Sequence, residues 1–319
     1  MFAAWNGSQP EISDLIVQHD PVTLERLPVR KEEVRSVFAR WGNRQAVRVV
    51  DALPERDGVL DAAAVDKLFV IVHSEMQRLA EEFYHGGRVY ELLQPVIAAV
   101  RKTGAAKNER LRVVDVGCGI GYTVRWLAAR TALAEEGVEL VGMDLNSALI
   151  KEAQRLADAE NLRCRFVHGD AFSRANSGHI YLSTRVLHHF RGEELANFFR
   201  RHELPETQGF LYYDFQPSFL AAPGSWFFHV VRMRTGLARH DGVLSAVRVH
   251  SAETLVETAR AASPGFACGM YGRRIWRTPL PRVFHTLVGL RRELIPEFRR
   301  ALGRRGGRCP RRTFARRPA

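Results

Sequence analysis

VVDVGCGIGYT, residues 113–123, is an apolar run that meets an acid at Asp115 and then passes glycines at 117, 119 and 121 into a segment with helical composition. The apolar run reads as a buried strand. The glycines let the backbone turn sharply and approach a ligand without side-chain interference. Open parallel sheets bind ligands at the carboxyl ends of their strands, where this turn would lie. Alone, the turn also fits a nicotinamide enzyme or a tight loop.

Downstream of the turn the pattern alternates. YTVRWLAARTALA reads as a helix, VELVGMD as a second strand and SALIKEAQRLADAE as a second helix, and CRFVHGD, GHIYLST and GFLYYDF continue the series. Buried strands alternating with helices predict an α/β fold with a Rossmann-like, doubly wound, mostly parallel sheet of seven strands. ACGMYG and RIWRTPL are expected to supply the final strands. Between GFLYYDF and a helix near Ala252–Ala262 the connection is longer than a crossover needs. Its aromatics, prolines and basic residues suggest a substrate-covering insertion over about 216–250.

Upstream, residues 1–107 read as a helical extension. VRKEEVRSVFARW (29–41) has apolar residues at helical spacing. Asp61 is placed to cap a helix over 62–84, in which Val65, Leu68, Phe69, Val72, Met76, Leu79 and Phe83 share a face, and Gly86 and Gly87 are expected to end it. VYELLQPVIAAVRKT follows, and GAAKNER reads as a linker. The expected organisation is an N-terminal cap over 1–107, a ligand-binding domain over 108–285 and a basic tail over 286–319.

Two further acids sharpen the reading. Asp144 ends the second strand, 23 residues after Gly121, where a carboxylate can accept both hydroxyls of a ribose. Asp170, in GDAF, ends the third, where a carboxylate can accept from an adenine amino group beside the Ala171 N–H. Either acid alone could be a helix cap. In order, at successive strand ends, the three features favour a nucleoside-containing cofactor. The glycines are spaced GxGxG rather than GxGxxG, which argues against a nicotinamide enzyme.

At this point the sequence resembles the class I S-adenosylmethionine-dependent methyltransferases. VVDVGCGIGYT is similar to their first motif, VGMDLN to the acidic second, HGDAF to the third and HIYLSTRVLHHF to the fourth, in the form found in small-molecule enzymes like those of quinone biosynthesis. The likeness covers about residues 110–215 and extends loosely to about 280. His179 departs from the acid that usually opens the fourth motif. The resemblance implies S-adenosyl-L-methionine as cofactor. It implies Asp115 at the cofactor's amino-acid end with Gly117, Cys118 and Gly119 lining it, Asp144 on the ribose, Leu145 against the adenine, and Asp170 and Ala171 at the adenine edge.

Methyl transfer is an in-line displacement, and an oxygen or carbon nucleophile usually must lose a proton. His188 and His189, just after the fourth strand, are the expected bases, because imidazole titrates near neutrality. A packing role for one of them is the alternative. No Asp or Glu stands at a ligand spacing from this pair, so no metal is expected. Phe215, Phe219, Trp226 and Phe227 follow the fifth strand and are expected to line a pocket for a small, largely apolar or aromatic acceptor. A nucleic-acid methyltransferase is the rival reading, but the Asn/Asp-Pro-Pro-aromatic loop of base-methylating enzymes is replaced here by STRV (183–186). A binding protein that keeps the fold without turnover is the other.

The net charge of +12 points to nucleic acid less than it first suggests. Eleven arginines against two glutamates from Arg291 onward account for +9 of it. That end reads as a solvated tail, with peripheral contact to an acidic membrane as the alternative. Cys118, Cys164, Cys268 and Cys309 form neither a CxxC pair nor a disulfide framework. The opening MFAAWNGSQPEIS does not read as a signal peptide, and no apolar run reaches the roughly 18 residues a membrane span needs, so a cytoplasmic location is expected.

Overall fold

The structure, a computed structural model, describes residues 9–104, 110–172, 177–218, 221–271 and 284–302. Four helices come first: α1 (Ile12–Ile16), α2 (Lys31–Arg40), α3 (Arg44–Asp51) and α4 (Ala62–Glu82). The Asp61 carboxylate caps α4 by accepting from the Ala64 N–H at 3.0 Å, as its position before the apolar face predicts. The chain then reverses through Tyr84, in the left-handed region at φ 54°, into α5 (His85–Thr103).

Gly86 and Gly87 therefore do not end α4; they lie inside α5. A Cβ on Gly86 would meet the Trp126 ring at 2.3 Å, and one on Gly87 the Tyr84 ring at 2.0 Å. These glycines serve close packing rather than a helix stop.

The sheet is built from β1 (Leu111–Val116), β2 (Val138–Asp144), β3 (Arg165–His168), β4 (Ile180–Thr184), β5 (Gly209–Phe215), β6 (Phe266–Tyr271) and β7 (Phe284–Arg291), in the order 6-7-5-4-1-2-3. Strands β1 to β5 run parallel, while β7 is antiparallel to both β5 and β6. Residues of the central strands alternate between two covered faces, which is why β4 and β5 read as near-continuous apolar runs. Val113, Leu182 and Leu211 face a core with Val89, Leu93 and Val96 of α5. Their neighbours Val114, Tyr181 and Tyr212 face a second core on the opposite side. That core is closed by α9 (Gly192–Arg200) and α12 (Ala252–Ala262), through Phe198, Phe199 and Leu255.

The segment 122–134, read as one helix, is two: α6 (Tyr122–Ala128) and α7 (Thr131–Glu135). Between β2 and β3 lies α8 (Ser147–Ala159). After β5 come α10 (Ala221–Arg232) and α11 (Gly236–Val247). RIWRTPL, expected as a strand, lies outside the described residues, and the last strand is Phe284–Arg291. The tail does not start at 286 either. Residues 286–291 belong to β7, and α13 (Ile295–Leu302) sets Phe298 at 1 % exposure against Tyr271. The rest of the arginine-rich end lies outside the described residues.

A third core joins α1 to α4 with α11, around Ile12, Phe38, Val50, Val65, Val72 and Leu237. Polar contacts fix the same union. Glu75 of α4 accepts from the Thr235 hydroxyl at 3.0 Å and the Arg234 N–H at 3.2 Å, ahead of α11. Asp241 of α11 accepts from the N–H groups of Ile12 and Ser13, both at 2.9 Å, at the start of α1. The long insertion and the N-terminal helices thus form one cap over the carboxyl ends of the strands. Among the described residues no helix is long and apolar enough to cross a membrane.

Candidate active site

The glycine turn leaves β1 with Gly117 at φ 69° and Gly119 at φ 56°, where a side chain would be strained. Space forbids one as well. A Cβ on Gly117 would meet Val186 at 2.6 Å, and one on Gly119 would meet the His73 ring of α4 at 2.5 Å. The cap therefore presses directly on the turn. Asp144, at the end of β2, holds the turn from the other side. Its Oδ2 accepts from the Gly119 N–H at 2.8 Å and its Oδ1 from the Asn146 N–H at 2.9 Å.

Two adjoining cavities meet at these residues. The first, of about 350 Å³, is lined by Gly117, Cys118, Gly119, Asp144, Leu145, Asp170 and Ala171, with Tyr122 and Phe172. It brings together every residue assigned to the cofactor from the sequence except Asp115. The second, of about 290 Å³, has an apolar side of Val17, Phe69, Val72, Leu149, Phe215 and Leu237 and a polar side of Glu11, Asp14, His188, His189, Asp241 and Ser245. His73, Met76, Asp144, Leu145, Arg185 and His189 line both.

Asp115 is 2 % exposed, and neither of its carboxylate oxygens has a hydrogen-bond partner. Burial, with the nearby Asp144 charge adding to it, pushes its carboxyl well above the usual range. A buried carboxyl without a partner beside a glycine cradle suits a ligand that brings its own cation. Asp170 has one engaged oxygen, accepting from the Phe172 N–H at 3.0 Å.

The two histidines differ. His188 is buried, and its Nδ1–H donates to Asp214 at 3.1 Å, which leaves Nε2 as the free lone pair. Burial holds its pKa below the ordinary imidazole value despite Asp214. Asp214 itself stays below the usual carboxylate range; burial would raise it, but His188 more than compensates. His189 is the opposite case. Burial would lower it, yet Glu11 and its hydrogen bond to Asp14 at 3.0 Å push it up to about 9. Asp14 is held low against its burial by His189 and by Arg248, 2.6 Å away. Burial raises Glu11 to about 8, with His189 opposing and Asp14 and Asp241 adding.

Carboxylates that do not stand at a ligand spacing in the sequence nonetheless meet the histidine pair in space. Glu11, His188 and His189 place ligand atoms within 4.8 Å of one another, and Asp14 and Asp214 are bonded to the two rings. Spacing could not show this, because Glu11 and Asp14 come from α1 and its approach, at the far end of the sequence. The pocket aromatics need correction. Phe215 lines the second cavity, but Trp226 is 57 % and Phe227 64 % exposed, on the outer side of α10, and neither lines a described cavity. Phe69 of α4 lines it instead. Phe219 lies outside the described residues.

Sequence reasoning also missed Asp214, Arg185 and His73. Asp214 was readable by the same strand-end logic that found Asp144, since it stands one residue before the end of GFLYYDF. Arg185 stands in STRV, directly after β4. His73 carried no local signal.

Residues 113–203 match a family profile described as a methyltransferase domain. No curated protein matches the chain. Among solved structures, a magnesium protoporphyrin IX methyltransferase from Synechocystis with bound S-adenosylhomocysteine is 18 % identical, over 82 % of this chain and 99 % of that one, with a TM-score of 0.41. A plantazolicin methyltransferase bound to a substrate analogue and S-adenosylhomocysteine is 11 % identical, over 70 % and 96 %, with a TM-score of 0.49. The profile spans the glycine turn and the acidic ends of β2 and β3, so this part of the chain, set in a seven-stranded sheet ordered 6-7-5-4-1-2-3, is similar to a methyltransferase domain.

Proposed function

We propose that this enzyme methylates an oxygen or an acidic carbon of a small, amphipathic acceptor bound in the 290 Å³ cavity, with His188 as the general base. The observation that carries this reading is the His188–Asp214 pair, which opens onto that cavity beside the glycine turn. Asp214 fixes the tautomer and leaves Nε2 to take the acceptor's proton, the role a carboxylate plays for histidine in hydrolytic triads. His189, already protonated and tied to Asp14, is unsuited to that step and serves to hold α1 in place.

S-adenosylmethionine supplies an electrophilic sulfonium methyl group. The residues of the first cavity fit it: Asp144 would meet the ribose, Leu145 the adenine face, and Asp170 and Ala171 the adenine edge, while Asp115, buried beside the glycine turn and not on the cavity wall, would answer the ammonium of the amino-acid end. Each Asp144 oxygen already accepts one backbone N–H and keeps capacity for another donor. Gly117, Cys118 and Gly119 set the backbone close to the amino-acid end. Reactants in two adjoining cavities are restricted in approach, which supplies much of what a displacement requires. The cavity under α1 and α4 has room for a small molecule and not for a duplex.

Isotope-labelled S-adenosylmethionine offered with a panel of hydroxylated aromatic and aliphatic acceptors tests the proposal. Label should pass to a small molecule in the wild type, and His188→Ala should abolish most of that transfer while still binding S-adenosylhomocysteine. Transfer to nucleic acid but to no small molecule would overturn it.

A further inference from the structure

Arg185 has an unusual position. It follows β4 directly and is a non-glycine residue in the left-handed region, at φ 59°. Its backbone N–H donates to the Tyr213 carbonyl of β5 at 2.8 Å, which pins this strained turn to the sheet. Strain of this kind persists where the surroundings over-determine it, often at functional sites. The turn directs the side chain to the place where the two cavities meet, and Arg185 lines both. Among the described residues its guanidinium has no ion pair, and its buried Nε has no hydrogen-bond partner. Burial draws its pKa down from the ordinary arginine value, with Asp214 opposing.

Asp214, the acid whose charge acts on it, is bonded to His188, and the acids that line the second cavity are engaged as well. Asp144 accepts two backbone N–H groups. Asp14 is bonded to His189 and Arg248, and Asp241 to the start of α1. Glu11 accepts from the Ser245 hydroxyl at 2.9 Å. A planar fork of donors, charged at any physiological pH and left without a partner, is built for a planar anion.

Building on the function proposed above, we propose that Arg185 recognises a carboxylate or an ionised enol or phenol carried by the methyl acceptor, so that the acceptor class is small organic anions with an apolar body. The apolar wall of Phe69, Val72, Leu149 and Phe215 takes the body. Arg185 takes the charged end and lowers the cost of holding the acceptor ionised.

Benzoate and its neutral isostere benzamide are the probes, with binding read by ligand-observed NMR with and without S-adenosylhomocysteine. Benzoate should bind the wild type at least about tenfold more tightly than benzamide. Arg185→Met should erase that preference, Arg185→Lys should keep part of it, and both variants should hold S-adenosylhomocysteine within about twofold of wild type. Equal binding of the two probes to the wild type, which needs no variant to fold, would overturn the inference. So would an Arg185→Met protein that loses S-adenosylhomocysteine and keeps benzoate, since Arg185 would then belong to the cofactor. Arg185-dependent benzoate binding in a protein with no affinity for S-adenosylhomocysteine would instead uphold the anion site and sink the cofactor placement.

Discussion

Asp115 makes folding and binding oppose each other at a single residue. A carboxyl whose folded pKa is raised holds its proton in the fold at pH values where the unfolded chain has lost it. The ligand-free protein therefore loses stability as pH rises from the ordinary value of 3.8 toward the folded pKa. Asp115→Asn removes that penalty. Its ligand-free melting temperature should exceed that of wild type by a margin that grows as pH rises above the ordinary carboxyl value of 3.8. Its affinity for S-adenosylhomocysteine should fall roughly 10- to 100-fold, about 1.5–3 kcal/mol for a hydrogen bond to a charged group. Thermal melts and calorimetric titration read the two signs; a destabilised variant with full affinity would give Asp115 to the framework. The histidines separate in the same way. His188→Ala should cost on the order of 10²–10⁴ in kcat with cofactor affinity kept, and the acid limb of the wild-type rate profile should lie below pH 6.5, because burial lowers His188. His189 has its folded pKa raised to about 9, so its stabilisation is complete below 6.5 and is lost as pH rises through 9. His189→Gln should accordingly be less stable than wild type at pH 6 and close to it above pH 9, in chemical denaturation at both pH values. A gap that widened with pH would remove His189 from the charge cluster.

The element that closes the site, α1, has only five residues and no intrinsic tendency to persist alone. It stays because Ile12, Leu15 and Ile16 are buried in the cap core and because Asp241 accepts its first two N–H groups. Asp241→Ala should leave those donors without a partner at about 1–3 kcal/mol, felt locally. Proteolysis and hydrogen exchange should show residues 9–20 opening while β1 and β2 keep wild-type protection; uniform loss across the sheet would mean that Asp241 supports the whole fold. This element is also where sequence reasoning ran short. A five-residue helix has too few turns to show a period, and its ties to α11 span most of the chain. The strands, the glycine turn and α4 were legible because each is local: a continuous apolar run, a cluster of glycines, an Asp61 cap before a long apolar face. For α10 the composition was read correctly and the facing was not. Aromatic content does not say which side of a helix turns inward, and Trp226 and Phe227 turn outward.

The whole molecule consists of a sheet with two covered faces and a cap with a core of its own. Phe38 is fully buried in the cap core, away from the strands. Phe38→Ala should cost about 3–5 kcal/mol of cap stability. It should raise KM for the acceptor and weaken the cap's thermal transition, with the sheet's circular-dichroism signature kept until a higher temperature. A single unshifted cooperative transition would show that cap and sheet do not separate. At this scale the mostly parallel, doubly wound sheet was readable and the assembly of the cap was not, because α1 to α4 and α11 are joined by pairs such as Glu75 with Thr235 and Asn43 with His240, which no spacing rule connects. That interlock sets a rule for anyone who recombines this enzyme with a relative. The two parts of the cap are inherited as distant stretches, 9–82 and 221–248, yet they share one core and one set of buried acids. A chimera that exchanges only one of them would strand Asp241 or Glu75 without its partner. Exchanged together on the same sheet, the two stretches should transfer acceptor preference as a unit.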